Sequence, residues 1–205
     1  MRHEQSKRTI LIAGMGTSPA VLTETVWALA HQGKPVVPDE ITVITTKSGR
    51  DALQKAIMAG TPSVWERLKA ALRKEKFAID GKLVFGETSI RVLPDEHGNA
   101  IDDLRTGDDN LRAADFILGE FRRYTEASDT VVLCSIAGGR KTMSALLFSC
   151  MTPRYGIMCV VQKPIQTSIR EEELKNKVAG AFFSRFDCVG RRKDEKDGRW
   201  EGEAS

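Results

Sequence analysis

Two adjacent cations follow a pair of glycines in the second half of the chain, where the sequence reads SIAGGRKTM. Arg140 and Lys141 stand where an apolar strand-like run gives way to a helical pattern. Cations are unfavourable in the first turn of a helix, because its free amides and dipole attract negative charge. Their presence favours a bound anion such as phosphate, which the backbone at Gly138 and Gly139 can approach closely. The alternative is a solvated helix start that carries two surface cations.

A second glycine-containing loop, GMGTSP, follows the first apolar run. Gly14 and Gly16 resemble the opening of a dinucleotide fingerprint. However, Pro19 stands at the third glycine position and no acidic residue ends the second strand, so a redox cofactor is not expected. Thr17 and Ser18 are candidates for contact with a phosphate or a ribose. They are also candidates for capping the next helix, with Pro19 at its first position.

Three other patterns carry weaker signals. A P-loop would need glycine where Ser135 and Arg140 stand, so ATP hydrolysis is not expected. Arg105 lies in a polar loop among acids, where it either forms a loop salt bridge or reaches a phosphate. Arg91 and His97 have the spacing of some HEPN ribonucleases, but a proline between them indicates a strand and turn instead of a helix. The histidines do not cluster with cysteines or acids, so no metal site is predicted.

The two glycine loops belong to an alternating series of strands and helices. Continuous apolar runs, typical of strands buried on both faces, are found over 9–13, 41–46, 89–94, 130–137 and 155–162. Helical patterns are found over 20–33, 48–60, 61–75, 111–127 and 141–151. Thr61 is the predicted N-cap of the third helix and Pro62 its first residue.

This order predicts an α/β, Rossmann-like domain, with a mostly parallel sheet of five or six strands wrapped by helices on both faces. In such sheets ligands bind beyond the carboxyl ends of the strands, near the topological switch point. The two glycine loops are expected there. We predict a flexible N-terminus over 1–8, the domain over 9–189 and a disordered tail over 190–205.

Composition limits the class of protein. A chain of 205 residues with 41% hydrophobic and 29% charged residues is typical of one globular domain. A net charge of +3 does not indicate a large nucleic-acid surface, so long nucleic acid is not an expected partner. The first apolar run is too short for a signal peptide or a membrane span. The four cysteines are widely spaced, which favours reduced thiols and the cytoplasm.

Two segments together, ILIAGMGTSPAVLTETVWAL and CSIAGGRKTMSALL, resemble the CARF domains of type III CRISPR systems. The resemblance is to the stand-alone CRISPR-associated ring nucleases in particular. The segment AIDDLRTGDDNLRAADFI is similar to the middle part of that family. The similarity covers roughly residues 9–150 and ends near Met151.

The resemblance implies a homodimer that binds a cyclic oligoadenylate, usually the tetra-adenylate, across its two-fold axis. Ring nucleases of this group cut the ring without a metal or a cofactor. The product is linear di-adenylate with a 2′,3′-cyclic phosphate, and the cut removes a second messenger that activates antiviral nucleases. Carried over by position, the catalytic residues are Ser18 and Lys141. The implied substrate-binding residues are Gly16, Thr17, Arg105, Ala137, Gly138, Gly139, Arg140 and Thr142.

The chemistry of the two loops agrees with this reaction. The ribose 2′-hydroxyl must lie in line with the neighbouring phosphorus, and positioning alone contributes several orders of magnitude in rate. Lys141 and the loop amides would stabilise charge on the phosphate, while Ser18 would orient the ribose or the phosphate. No general base stands out, which fits a slow enzyme.

Two other functions stay open. The chain is either a sensor that binds the ring without cutting it and acts through a partner, or a different nucleotide-binding Rossmann protein such as a transferase. The sequence contains no recognisable effector domain for a sensor to control, which favours the nuclease.

Overall fold

The computed structural model describes residues 7–126 and 129–150, and the backbone of residues 158–160. The strands are β1 Arg8–Gly14, β2 Glu40–Thr45, β3 Ile90–Val92, β4 Thr130–Ser135 and β5 Met158–Val160. The α-helices are α1 Ala20–His31, α2 Lys47–Leu53, α3 Val64–Lys74, α4 Gly107–Thr125 and α5 Lys141–Cys150. A π-helical turn, Gln54–Met58, extends α2. The predicted tail over 190–205 lies outside the described residues.

The strands form a single parallel sheet in the order β3-β2-β1-β4-β5. β1 is central, and Ile12 lies between Thr42 of β2 and Cys134 of β4. The order in which strands are added reverses between β1 and β4, so the topological switch point lies there. The predicted parallel α/β fold is therefore confirmed.

Apolar side chains of successive strand residues point to opposite faces of the sheet and build two cores. On one face, Leu11 packs with α1 and α3. On the other face, Ile10 and Ile12 pack with α4 and α5. These three side chains have no exposed surface, which explains why the strands read as continuous apolar runs. Helices cover both faces, as predicted.

The N-caps predicted for α1 and α3 are wrong. Helix α3 is capped by Ser63, not by Thr61, because Ser63 and Glu66 form a capping box. The Glu66 amide donates to Ser63 Oγ at 3.2 Å, and the Ser63 amide donates to Glu66 Oε2 at 2.7 Å. In α1 the N-cap residue is Pro19, and no side chain caps the helix.

Helix α4 begins four residues before the predicted start. Thr106 is its N-cap, and Asp109 completes a capping box with Thr106. The polar sequence TGDD hid this start, because its apolar periodicity begins only with Leu111. The capping box also orders the loop that carries Arg105.

Candidate functional site

Two loops meet beyond the carboxyl ends of β1 and β4. We call residues 14–18 loop 1 and residues 136–140 loop 4. Because β1 and β4 are neighbours, the two loops leave the sheet side by side. A Cβ atom added to Gly138 would lie only 2.7 Å from the carbonyl oxygen of Gly14. The backbones of the two loops are therefore in direct contact, and a side chain at Gly138 would separate them.

A second pair of glycines extends this contact. A Cβ atom on Gly16 would lie 3.4 Å from the Cα atom of Gly139. Gly139 also has a φ of +86°, a conformation that residues with a side chain rarely adopt. The sequence indicates that these glycines allow a ligand to approach the backbone. In the structure they also allow the two loops to pack against each other.

Hydrogen bonds from neighbouring elements fix both loops. The Met15 amide donates to the carbonyl of Ile44 at 3.0 Å, and Thr45 Oγ1 donates to the carbonyl of Met15 at 2.7 Å. In loop 4, Ser144 Oγ lies 3.1 Å from the Ile136 carbonyl and 3.3 Å from that of Gly138. Loop 1 is thus tied to the end of β2, and loop 4 to the first turns of α5.

A cavity of about 700 Å³ lies between these loops and the segment that precedes α4. We call it the loop cavity. The predicted site residues that line it are Gly16, Thr17, Ser18, Arg105, Ala137, Gly138, Gly139 and Arg140. Two predicted residues, Lys141 and Thr142, are not among its lining residues and are exposed at the start of α5.

The hydroxyl of Ser18 points to no protein partner within the described part of the chain. The first turn of α1 uses backbone oxygens instead, since the Val21 amide donates to the Ser18 carbonyl at 3.4 Å and the Leu22 amide to the Pro19 carbonyl at 3.0 Å. Capping therefore does not occupy the exposed Thr17 and Ser18 hydroxyls. Both are available to a ligand in the loop cavity.

Arg140 and Lys141 differ in their surroundings although they are adjacent in sequence. Arg140 precedes α5 and lines the loop cavity, whereas Lys141 is the first residue of the helix. Lys141 makes no ion pair with any of the described residues. Its side chain is exposed and is not among the residues that line the cavity of a single chain.

Four polar lining residues were not predicted. Thr46 and Ser48 follow the end of β2, and Asp102 and Asp103 precede Arg105. The signal for Thr46 and Ser48 was their place after a strand neighbouring β1, since the carboxyl ends of parallel strands share one edge. The signal for the aspartates was only their proximity to Arg105 in sequence.

Carboxylates oppose both arginines of the loop cavity. Arg140 forms an ion pair with Asp103, and Arg105 Nε lies 3.8 Å from Asp103 Oδ2. Asp102 pairs with Lys47 at 3.6 Å. Arg105 therefore forms a long salt bridge with Asp103, which is one of the two contacts predicted for this residue. The Arg105 side chain remains 78% exposed.

The Arg105 segment is held in place by Asp109. The amides of Arg105 and Thr106 donate to Asp109 Oδ2 at 3.0 and 2.9 Å. These amides, followed by the Thr106 hydroxyl, lower the pKa of Asp109 to about 2. Arg112 adds an ion pair to Asp109 at 2.8 Å. The carboxylate therefore fixes the backbone from which Arg105 extends.

Arg91 and His97, which have the spacing of some HEPN ribonucleases, do not form a ribonuclease site in the structure. Arg91 lies in β3 and donates through Nε and Nη2 to the buried Glu120 at 3.0 and 2.8 Å, while His97 lies in an exposed turn. Within the described residues there is no group of three or more metal-ligating side chains. In that same part of the chain, no helix has the length and apolar character needed to cross a bilayer.

Comparison with known proteins gives one family. The family described as CRISPR-associated protein NE0113 (Cas_NE0113) matches residues 18–152, more than half of the chain. A structure of Enterococcus italicus Csm6 bound to cyclic hexa-2′-fluoro-hexa-dAMP is similar over 84% of this chain, with a TM-score of 0.45 and 14% identity. The match spans only 38% of that Csm6 chain. No curated protein sequence matches.

Proposed function

The chain belongs to the family of CRISPR-associated protein NE0113, and on that premise we propose that it binds and cuts a cyclic oligoadenylate. The observation that carries the proposal is the loop cavity. Two glycine loops line it at the topological switch point, and it holds Arg140 together with the hydroxyl of Ser18, which has no hydrogen-bond partner among the described residues. Backbone amides, a guanidinium and hydroxyls are the groups that bind phosphodiesters.

The proposed ligand is larger than one cavity. Pockets of about 300–1,000 Å³ suit drug-sized ligands, and a ring of four adenylates exceeds that size. A cavity of about 700 Å³ would therefore hold part of the ring. We propose that a second copy of the chain holds the other part, which gives a homodimer with the ring across its two-fold axis.

The proposed cut is an attack within the ring. A ribose 2′-oxygen bonds to the adjacent phosphorus, and the bond from phosphorus to the 5′-oxygen breaks. The 2′-hydroxyl proton passes to water, and the 5′-oxygen takes up a proton from water. Two such cuts in cyclic tetra-adenylate give two di-adenylates that end in 2′,3′-cyclic phosphates. No metal is required in this scheme.

The proposed roles follow from position. Ser18 orients the ribose or the scissile phosphate, while Arg140 and the loop 4 amides hold the phosphate oxygens and stabilise the charge that develops on them. Lys141 would reach the phosphate from the rim of the cavity. The lining contains no histidine, and Arg140 already engages Asp103, so positioning and charge would supply the rate in place of a general base.

One observation favours a second candidate, a sensor that binds the ring without cutting it. Lys141, the cation that the resemblance assigns to catalysis, is not among the residues that line the loop cavity. If the second copy does not bring a phosphate to Lys141, the cavity retains the groups needed for binding and lacks one needed for the cut.

The test is incubation of the purified protein with cyclic tetra-adenylate or cyclic hexa-adenylate in EDTA, with products resolved by chromatography and mass. Linear di-adenylate with a cyclic phosphate supports the nuclease. Binding without product supports the sensor, and neither binding nor product refutes both. Arg140→Gln should lose the product, whereas Arg73→Gln, an exposed change on α3, should keep it. Product from both variants at the wild-type rate would indicate a contaminating ribonuclease.

A further inference from the structure

The loop cavity already contains an anion that belongs to the protein. Asp103 Oδ2 pairs with Arg140 Nη2 and lies 3.8 Å from Arg105 Nε. The other oxygen of this carboxylate, Oδ1, accepts from the Leu104 amide at 2.9 Å, which fixes its orientation. The Asp103 side chain is 21% exposed, against 57% for Arg140 and 78% for Arg105. The carboxylate thus sits beneath two guanidinium groups, at a place where a phosphate would otherwise meet them.

The charges that line the loop cavity cancel. Arg105 and Arg140 are its basic lining residues, and Asp102 and Asp103 are its acidic ones. Because Asp102 is already paired with Lys47, a phosphodiester that binds Nη2 of Arg140 has to replace Asp103 as its partner. Since guanidinium–carboxylate and guanidinium–phosphate pairs are similar in kind, this exchange by itself gains little free energy.

The segment from Asp102 to Arg105 also separates the loop cavity from a second one. This neighbouring cavity, of about 520 Å³, has six carboxylate residues in its lining against two arginines. Its acidic members are Asp95, Glu96, Asp102, Asp103, Asp108 and Asp109. A polyanion is repelled from this side, so Asp103 stands at the boundary between the region that can accept phosphate and the region that cannot.

From these contacts we infer that Asp103 is an intramolecular competitor that weakens the binding of small phosphates in the loop cavity. An anion that binds Nη2 of Arg140 must displace the carboxylate from it, and the cost of that displacement is the same for each anion. That cost is a large share of the binding free energy of inorganic phosphate or AMP. It is a small share for a ring that gains several phosphate and base contacts at once. A ligand with many contacts is therefore favoured over a small phosphate at this site.

This inference rests on the proposed function only for the identity of the large ligand. The competition itself concerns Arg140, Asp103 and any phosphate, so simple probes can measure it. The expected gain from removing the carboxylate is roughly two- to fivefold in affinity, the range for a partly exposed ion pair.

The test compares Asp103→Asn with wild type by calorimetric titration with inorganic phosphate and with AMP. Asparagine keeps an oxygen for the Leu104 amide and removes the charge. We expect both probes to bind roughly two- to fivefold more tightly. The matched control is Asp80→Asn, which makes the same charge change at a side chain 97% exposed and outside the cavity lining, and should change neither affinity.

Weaker or unchanged binding by Asp103→Asn would overturn the inference, since a residue that merely holds Arg140 in place would weaken binding when altered. In an Arg140→Gln background, Asp103→Asn should give less than half of its usual gain. If the asparagine variant does not fold, the wild-type carboxyl ¹³C signal of Asp103 should shift on saturation with phosphate. A fixed signal at saturation would equally refute competition. Failure of the wild type to bind either ring refutes the proposed function, but leaves these phosphate measurements valid.

Discussion

The contact between the two glycine loops can be broken by a single methyl group. In Gly138→Ala the new Cβ would lie 2.7 Å from the Gly14 carbonyl oxygen and 3.4 Å from Val21 Cγ1. Ordinary van der Waals contact begins near 3.4 Å. At 2.7 Å the new Cβ would therefore overlap the Gly14 carbonyl oxygen by about 0.7 Å. Gly14 is the last residue of β1 and pairs with Ile44, so its carbonyl cannot retreat without disturbing the sheet.

Overpacking of this kind costs about 1–3 kcal/mol. For a chain of this size each kcal/mol lowers the melting temperature by roughly 2–4 °C, so we expect Gly138→Ala to melt about 2–12 °C below wild type. The strain is relieved by moving the loops apart, which misplaces the groups that would hold a phosphate. Displacements approaching 1 Å cost up to about a hundredfold in positioned chemistry, and we expect at least about a tenfold loss of affinity for AMP.

Calorimetric melting and AMP titration of the same preparations measure both effects. The control is Gly119→Ala in the middle of α4, where an added Cβ meets no atom within 4 Å. This change should stabilise the protein by about 0.5–1 kcal/mol through helix propensity and leave AMP binding unchanged. If Gly138→Ala has the same melting temperature and the same affinity for AMP as the wild type, the backbones of the two loops are not in direct contact.

Three further predictions concern single side chains. Ser18→Ala should lower the rate of ring cleavage more than ring affinity, and an equal loss of both in kinetic and binding assays would make Ser18 a binding residue only. Lys141→Ala should weaken both affinity and turnover, and wild-type turnover in that variant would contradict a catalytic role for the rim cation. The pKa of Asp109, about 2, lies below its ordinary value of 3.8, so its contribution to stability is full above about pH 4 and is lost as the pH falls towards 2. Denaturant unfolding at pH 5 and pH 2.5 should therefore show a smaller difference in stability for Asp109→Asn than for wild type.

Much of the fold was predictable because its signals are local. The buried strands appear as continuous apolar runs, and the parallel order follows from helices between them. Helix starts were less predictable where two candidate caps lie close together. Thr61 and Ser63 both precede α3, and only the glutamate three residues after Ser63 decides between them.

The loops of the candidate site could be predicted from the sequence, but the ion pairs between its side chains could not. The glycines and Arg140 stand out in the sequence because they interrupt apolar runs. The ion pair between Arg140 and Asp103 depends on the order of strands, which brings the loop before α4 beside the loop after β4. Arg140 and Lys141 diverge at the start of α5, since Arg140 still belongs to loop 4 whereas Lys141 is the first residue of the helix.

The central position of β1 also has a consequence for folding. Loop 1 follows the first strand of the chain and loop 4 follows the fourth, and the cavity between them exists only once β4 has paired with β1. That pairing closes a long loop of chain, which is among the slower events in folding. A partly folded chain with β1 and β2 already joined therefore has no binding site. Any phosphate ligand selects the completely folded protein and stabilises it against global unfolding.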